Sequence, residues 1–127
     1  MAVKQQVEVE GRQLALTNLD KVLYPGNGFT KAHVIDYYVR VSRWLLPHFA
    51  GRPVTLNRFP DGVRGKAFYE KNAPKYLPNW AHTAEVPRSA GGEPIRYICI
   101  DDTATLIWCA NVASLELHPF LHPAADL

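Results

Sequence analysis

The chain is 127 residues long, 47% hydrophobic and 20% charged, with a net charge of +2. That is the length of one domain and a globular composition, which excludes a disordered tail, a collagen and an acidic solvating segment. Two cysteines, Cys99 and Cys109, without CxxC spacing exclude a zinc ribbon or thioredoxin-like motif and fit a reducing cytosol, while Met1–Glu10 has no secretory h-region and no apolar run is long enough for a membrane span.

Ten prolines and eight glycines argue for many turns and a mixed α+β chain. Gln6–Glu10 and Gln13–Thr17 alternate polar and apolar about Gly11-Arg12, the pattern of a hairpin. Asn18–Thr30 reads as a loop punctuated by Pro25, Gly26 and Gly28, with a short helical turn over Lys21–Tyr24. Thr30 is an N-cap candidate for a helix over Lys31–Leu46, with Val34, Tyr37, Tyr38, Val41, Trp44 and Leu45 on one apolar face and Pro47 and Gly51 closing it. Pro53–Phe59 and Ala67–Lys71 read as two strands joined by a basic, glycine-rich loop that turns at Pro60-Asp61-Gly62. Ala73–Trp80 is irregular, and Ala81–Val86 and Ile95–Ile100 read as strands. Asp101 or Asp102 caps a second helix over Thr103–Ser114 with Leu106, Ile107, Cys109, Ala110 and Ala113 for burial, and Leu115–Phe120 is a further strand because Pro119 forbids helix there.

The charge is polarised. Residues 1–20 carry two bases against three acids, residues 21–75 ten bases against three acids, and residues 76–127 two bases against six acids, giving −1, +7 and −4. A locally positive surface attracts polyanions even when the total is near zero. The basic middle is interleaved with Phe59, Phe68, Tyr69 and Tyr76. Cations for phosphates beside aromatic faces for bases make the composition of a single-strand or strand-end binder; the alternative is a solvated basic face. Arg58 and Lys71, on the two strands of the basic hairpin, are candidate phosphate contacts lining one channel. His118 and His122 are four apart, but Pro119 prevents a helical metal pair.

Four segments in order carry a family resemblance. They are Leu16–Pro25 (LTNLDKVLYP), Thr30-Lys31 opening a helix with Asp36-Tyr37-Tyr38, Gly51–Gly62 (GRPVTLNRFPDG) running into Phe68–Lys71 (FYEK), and Leu115–Pro119 (LELHP). Together, over Val9–His122, they resemble the polymerase domain of bacterial ATP-dependent DNA ligase D, of the archaeo-eukaryotic primase superfamily, which works in non-homologous end joining. The resemblance implies residues 1–127 as a single α+β unit, the N-terminal portion of a primase-polymerase fold with mixed or antiparallel strands and two main helices. It implies that Asn18, Lys21 and Lys31 bind the 5′-phosphate of a recessed strand, with Lys31 in a first helical turn whose free amides and dipole also favour an anion. Phe68 and Tyr69 match a stacking pair for template bases, often Phe-Phe in the family; on a strand one of the two is expected in the core and the other as platform. His118 matches a histidine that helps position the incoming nucleotide's phosphates.

Complete domains of this kind transfer nucleotides with two divalent ions, Mn2+ or Mg2+, held by an Asp-x-Asp pair and a third Asp. No Asp-x-Asp occurs in residues 1–127, and Asp101-Asp102 is adjacent and explained as a helix cap. The expectation is therefore a cytoplasmic, nucleoid-associated segment truncated before the metal carboxylates, holding no cofactor alone and binding 5′-phosphorylated DNA ends without nucleotide transfer. Expected partners are a C-terminal polymerase segment, an ATP-dependent ligase module and a Ku-type end-binding protein; the alternative is a non-catalytic end-binding or partner-recruiting module.

Overall fold

A computed structural model describes residues 4–123; the two ends of the expected 1–127 unit, residues 1–3 and 124–127, lie outside them. Strands β1 (Lys4–Val9) and β2 (Arg12–Thr17) pair antiparallel in the register Val9↔Arg12 to Lys4↔Thr17. The turn uses Glu10 and Gly11 at positive φ, the geometry a two-residue hairpin requires. On β2 the alternation sends Leu14 and Leu16 into the core.

The segment over Lys21–Tyr24 is not a helical turn. Val22–Tyr24 forms strand β3, pairing with a two-residue strand β4 (Phe29–Thr30) across the Pro25–Gly28 turn. A β-branched and aromatic run suits an extended strand, and alternation buries Leu23 fully while Val22 stays exposed.

Helix α1 (Lys31–Phe49) starts at the expected cap. The Thr30 hydroxyl accepts from the His33 amide, and His33 Nδ1 accepts from the Thr30 amide at 2.9 Å, a capping box with histidine in the usual Glu/Gln place. The helix runs through Pro47 instead of ending before it. Proline removes one amide near the end of the helix, and the carbonyl left without a partner belongs to exposed Arg43, where water can serve it. The apolar face is also rotated from the expected one: Val34, Ile35, Tyr38 and Phe49 are buried, while Tyr37 and Trp44 are exposed, Trp44 beneath the Arg43 guanidinium.

The third sheet is five-stranded and antiparallel, from β5 (Pro53–Arg58), β6 (Phe68–Glu70), β7 (His82–Val86), β8 (Ile95–Cys99) and β9 (Ser114–Pro119). β5 is central, pairing with β6, β8 and β9, and β7 pairs with β8. Helix α2 (Thr103–Asn111) is capped by Asp102 and ends three residues before the expected Ser114, because Ala113 adopts a left-handed φ of 60° and turns the chain into β9.

Val54, Leu56, Ile98 and Ile100 share one core with Val34, Ile35 and Tyr38 of α1 and with Leu106, Ile107, Cys109 and Ala110 of α2. The Tyr38 hydroxyl donates to the Ser114 carbonyl at 2.7 Å, tying α1 to the start of β9. The alternate positions Thr55, Asn57, Glu116 and His118 lie on the other face of β5 and β9. No helix among the described residues is long and apolar enough to cross a membrane.

Candidate nucleic-acid interface

Asn18, Lys21, Lys31 and Arg58 line one cavity of about 340 Å³, closed by Thr17, Pro60, Tyr76 and the Asn111–Ala113 end of α2. Five separate pieces of chain converge here. Asn18, at the end of β2, takes a φ of 53°, which Asn tolerates better than most residues, and its carbonyl accepts from the Lys21 amide at 3.0 Å. The Asn111 side chain clips the same strand end to α2, accepting from the Thr17 amide at 2.9 Å and donating to the Ala15 carbonyl.

Lys31 is the first residue of α1 and is only 5% exposed, yet no carboxylate or carbonyl among the described residues partners its ammonium. Burial first, then the neighbouring charges of Lys21 and Arg58, push its pKa down from 10.5 to about 8. Lys21 is half-exposed and reaches the Asp61 carboxylate at 3.4 Å. Arg58 is pinned from several sides: Nε donates to the Val112 carbonyl at 2.9 Å, Nη1 to the Tyr76 hydroxyl at 2.8 Å and to Glu70 at 3.4 Å, and its guanidinium lies 5.0 Å from the Phe68 ring centroid.

The helix amides do not serve this cavity as expected. The Lys31 amide donates to the Lys21 carbonyl and the Ala32 amide to the Leu19 carbonyl, each at 2.9 Å, while the His33 amide is taken by Thr30. The first turn of α1 is thus spent on anchoring the β2–β3 connection. Any anion here is held by side chains, with the α1 dipole as background.

The remaining predicted residues divide between surfaces. Phe68 sits opposite Arg58 in the β5–β6 register and stays on its side. Tyr69 sits opposite Asn57 and faces the other way, its ring 6.0 Å from that of His118. Neither aromatic is in the core, against the expectation for one of them: both are exposed, Phe68 beside the Arg58 guanidinium on one face of β6 and Tyr69 beside His118 on the other. His118 approaches Glu116 at 3.4 Å, and Glu116 accepts from Asn57 Nδ2 at 2.7 Å; these bonds hold the Glu116 carboxyl below its usual range. Lys71 lies just past β6, exposed and outside the cavity that Arg58 lines. Residue reasoning missed Tyr76 and Asn111 as walls of the cavity. Tyr76 carried a weak signal, an aromatic between two prolines in the basic stretch, and Asn111 carried none.

The metal chemistry finds no donor set here. Among the described residues no three metal-ligating side chains converge. Asp102 caps α2 and pairs with Arg12, while Asp101 accepts from the Gly51 amide and contacts His82. These residues do not fit a two-metal centre.

The antiparallel α+β fold, matched against known domains, is that of the class of primase-polymerase domains. Residues 30–127 match the family described as LigD, primase-polymerase domain, and the chain belongs to it. It is 43% identical over 106 residues to the multifunctional non-homologous end joining protein LigD of Mycolicibacterium smegmatis, covering 84% of this chain and 14% of that protein. It is 38% identical over 109 residues to the bifunctional non-homologous end joining protein LigD of Bacillus subtilis, covering 85% and 17%. Among solved structures, the polymerase domain from Mycobacterium tuberculosis ligase D in complex with DNA matches with a TM-score of 0.80 at 43% identity, over 84% of this chain and 36% of that one. The chain thus spans less than a fifth of the curated relatives it matches.

Proposed function

We propose that this chain is the end-recognising portion of a ligase-D-type primase-polymerase domain in DNA double-strand-break repair, and that Lys21, Lys31 and Arg58, with Asn18, grip the 5′-phosphate of a recessed strand. The observation that carries this is Lys31: a buried residue whose ammonium has no counter-ion among the described residues and which lines a cavity shared with two more cations. Burying an unpaired charge is costly, and an anion that completes the site recovers much of that cost. A phosphoryl group accepts several charge-assisted hydrogen bonds at once, and the fork of Arg58 is suited to it. The DNA complex of the M. tuberculosis domain supports a nucleic-acid ligand for the class.

Around that socket, Phe68 and Tyr69 are proposed to stack on template bases, and His118 and Lys71 to contact phosphates of DNA or nucleotide. Their exposure leaves them available for these contacts. Nucleotide addition, with Mn2+ or Mg2+, belongs in this proposal to the complete domain and to carboxylates outside these residues. The proposed wider partners are a C-terminal polymerase segment, an ATP-dependent ligase module and a Ku-type end-binding protein, at the nucleoid in the cytoplasm.

The test compares recessed duplexes with and without a 5′-phosphate. The phosphorylated end should bind more tightly, and Lys21→Ala combined with Lys31→Ala should erase the difference while leaving weak, salt-sensitive binding. Equal affinity of the unaltered chain for both ends would overturn the proposal.

A further inference from the structure

Tyr76 is the one wall of the cavity that is both aromatic and open. It is 61% exposed, yet its surroundings hold it still. The segment that carries it is fastened on both sides: the Ala73 amide donates to the Arg96 carbonyl at 2.7 Å, the Arg96 amide to Asn72 Oδ1 at 3.0 Å, and the Leu77 amide to the Pro74 carbonyl at 3.1 Å. Leu77, the next residue, is buried in the core. Behind the ring stands the buried indole of Trp108, centroids 6.1 Å apart. The Tyr76 hydroxyl accepts from Arg58, so ring and guanidinium are set relative to one another before any ligand arrives.

A tyrosine packed for structure alone would place its ring inside and its hydroxyl at the rim. Here the hydroxyl faces the cation and the ring faces solvent. The cavity, at about 340 Å³, reaches the size of pockets that hold ligands larger than one phosphoryl group. A phosphate between Lys21, Lys31 and Arg58 brings its own nucleoside along, and the open aromatic surface bordering that position is Tyr76.

We propose that Tyr76 is a nucleoside platform: its ring stacks on the 5′-terminal nucleoside of the recessed strand while Arg58, tethered to its hydroxyl, holds the phosphate. This rests on the 5′-phosphate reading of the socket and extends it from a phosphate to a nucleotide. Stacking is tolerant of base identity, as repair of arbitrary ends demands. A ring already fixed by its neighbours loses little conformational freedom on binding.

The test uses a recessed duplex with 2-aminopurine as its 5′-terminal nucleotide, with and without the 5′-phosphate. Stacking on Tyr76 should quench the fluorescence of the bound, phosphorylated probe. Measured against Tyr76→Phe, which loses the same hydroxyl, Tyr76→Leu should abolish the quenching and weaken binding of the phosphorylated probe by about fivefold or more, the lower end of a base–aromatic stack. Tyr76→Phe, which retains the ring, should keep the quenching. Undiminished quenching in Tyr76→Leu, with the phosphate preference intact, would overturn the platform and leave the socket standing. Equal loss of quenching and of affinity in Tyr76→Phe and Tyr76→Leu would make Tyr76 a prop for Arg58 through its hydroxyl alone and equally overturn the platform. If the unaltered chain shows no phosphate preference, the socket fails and the platform with it.

Discussion

Lys31 places a proton within reach of ordinary pH. Its pKa of about 8 lies below the 10.5 of an exposed lysine because burial, Lys21 and Arg58 all disfavour the ammonium. Between those values the unfolded chain holds a proton that the folded chain has released, so stability rises with pH across that window; below about 8 the folded protein carries the charge that its surroundings disfavour. A bound phosphate reverses the preference, because it stabilises the charged form. The phosphate is itself a dianion above about pH 6. The ratio of affinities for phosphorylated and unphosphorylated ends should therefore be greatest near neutrality and fall as pH rises through about 8. Lys31→Arg, whose guanidinium stays charged, should hold that ratio level over the same range. Fluorescence anisotropy titrations between about pH 7 and 9 check this, and an unchanged fall in Lys31→Arg would assign the titration to another group.

Among the elements, α2 shows how distant sequence completes a local signal. Asp102 accepts from the Thr105 amide at 2.8 Å and from its hydroxyl at 2.7 Å, while Glu10, from the β1–β2 turn, accepts from the Ala104 amide at 3.2 Å. Arg12 pairs with Asp102 from the same hairpin. Burial pushes the Asp102 carboxyl up, but the Thr105 hydrogen bonds and the Arg12 guanidinium outweigh it and hold it below the usual range. Its contribution is therefore present above the unfolded carboxyl pKa and lost as pH falls through the folded one. Asp102→Ala should lower stability by about 0.5–2 kcal/mol in urea denaturation with an unchanged slope, and Asp102→Asn, still a capping acceptor, by less. A cap at Asp101 or Asp102 and the hairpins were legible in the sequence because their signals are local: Thr30 and the Asp101-Asp102 pair before helices, alternation in β1–β2, and the Pro60-Asp61-Gly62 turn between β5 and β6. What was illegible depended on tertiary partners. β3 needs β4 to be a strand, α1 continues through Pro47 on an exposed side of the helix, and α2 stops at an alanine in a conformation usually left to glycine. Lys21, Lys31 and Asn18 were legible as a set through the family resemblance; spacing alone left Lys21 and Lys31 as ordinary surface lysines. Which of Arg58 and Lys71 shares their cavity depends on strand facing and on Val112, Tyr76 and Glu70, partners that sequence order does not reveal.

Across the whole molecule, two helices run between the cavity and the Asp101-Asp102 corner. α1, 19 residues and about 28 Å long, starts at Lys31 and ends where Asp101 accepts from the Gly51 amide. α2 runs the opposite way, from Asp102 to the Asn111–Ala113 wall of the cavity. At the cavity the two macrodipoles therefore oppose one another, and Arg58 on the Val112 carbonyl offsets the unfavourable one. Lys21, Lys31 and Arg58, three of the ten bases in residues 21–75, meet at the cavity, and such a local concentration of positive charge attracts a polyanion. Binding to a phosphorylated end should release counterions from each phosphate the cations engage, with log K falling against log salt by about 0.9 per phosphate neutralised on duplex DNA. Lys21→Ala should flatten that slope by about one. Neutralising Glu85 and Glu93, on the β7–β8 hairpin away from the cavity, should leave the slope unchanged even if the overall affinity rises. Titrations over a several-fold range of salt separate the two cases. A slope insensitive to Lys21 but flattened by changes on the β7–β8 hairpin would put the contact surface at the wrong end of the molecule.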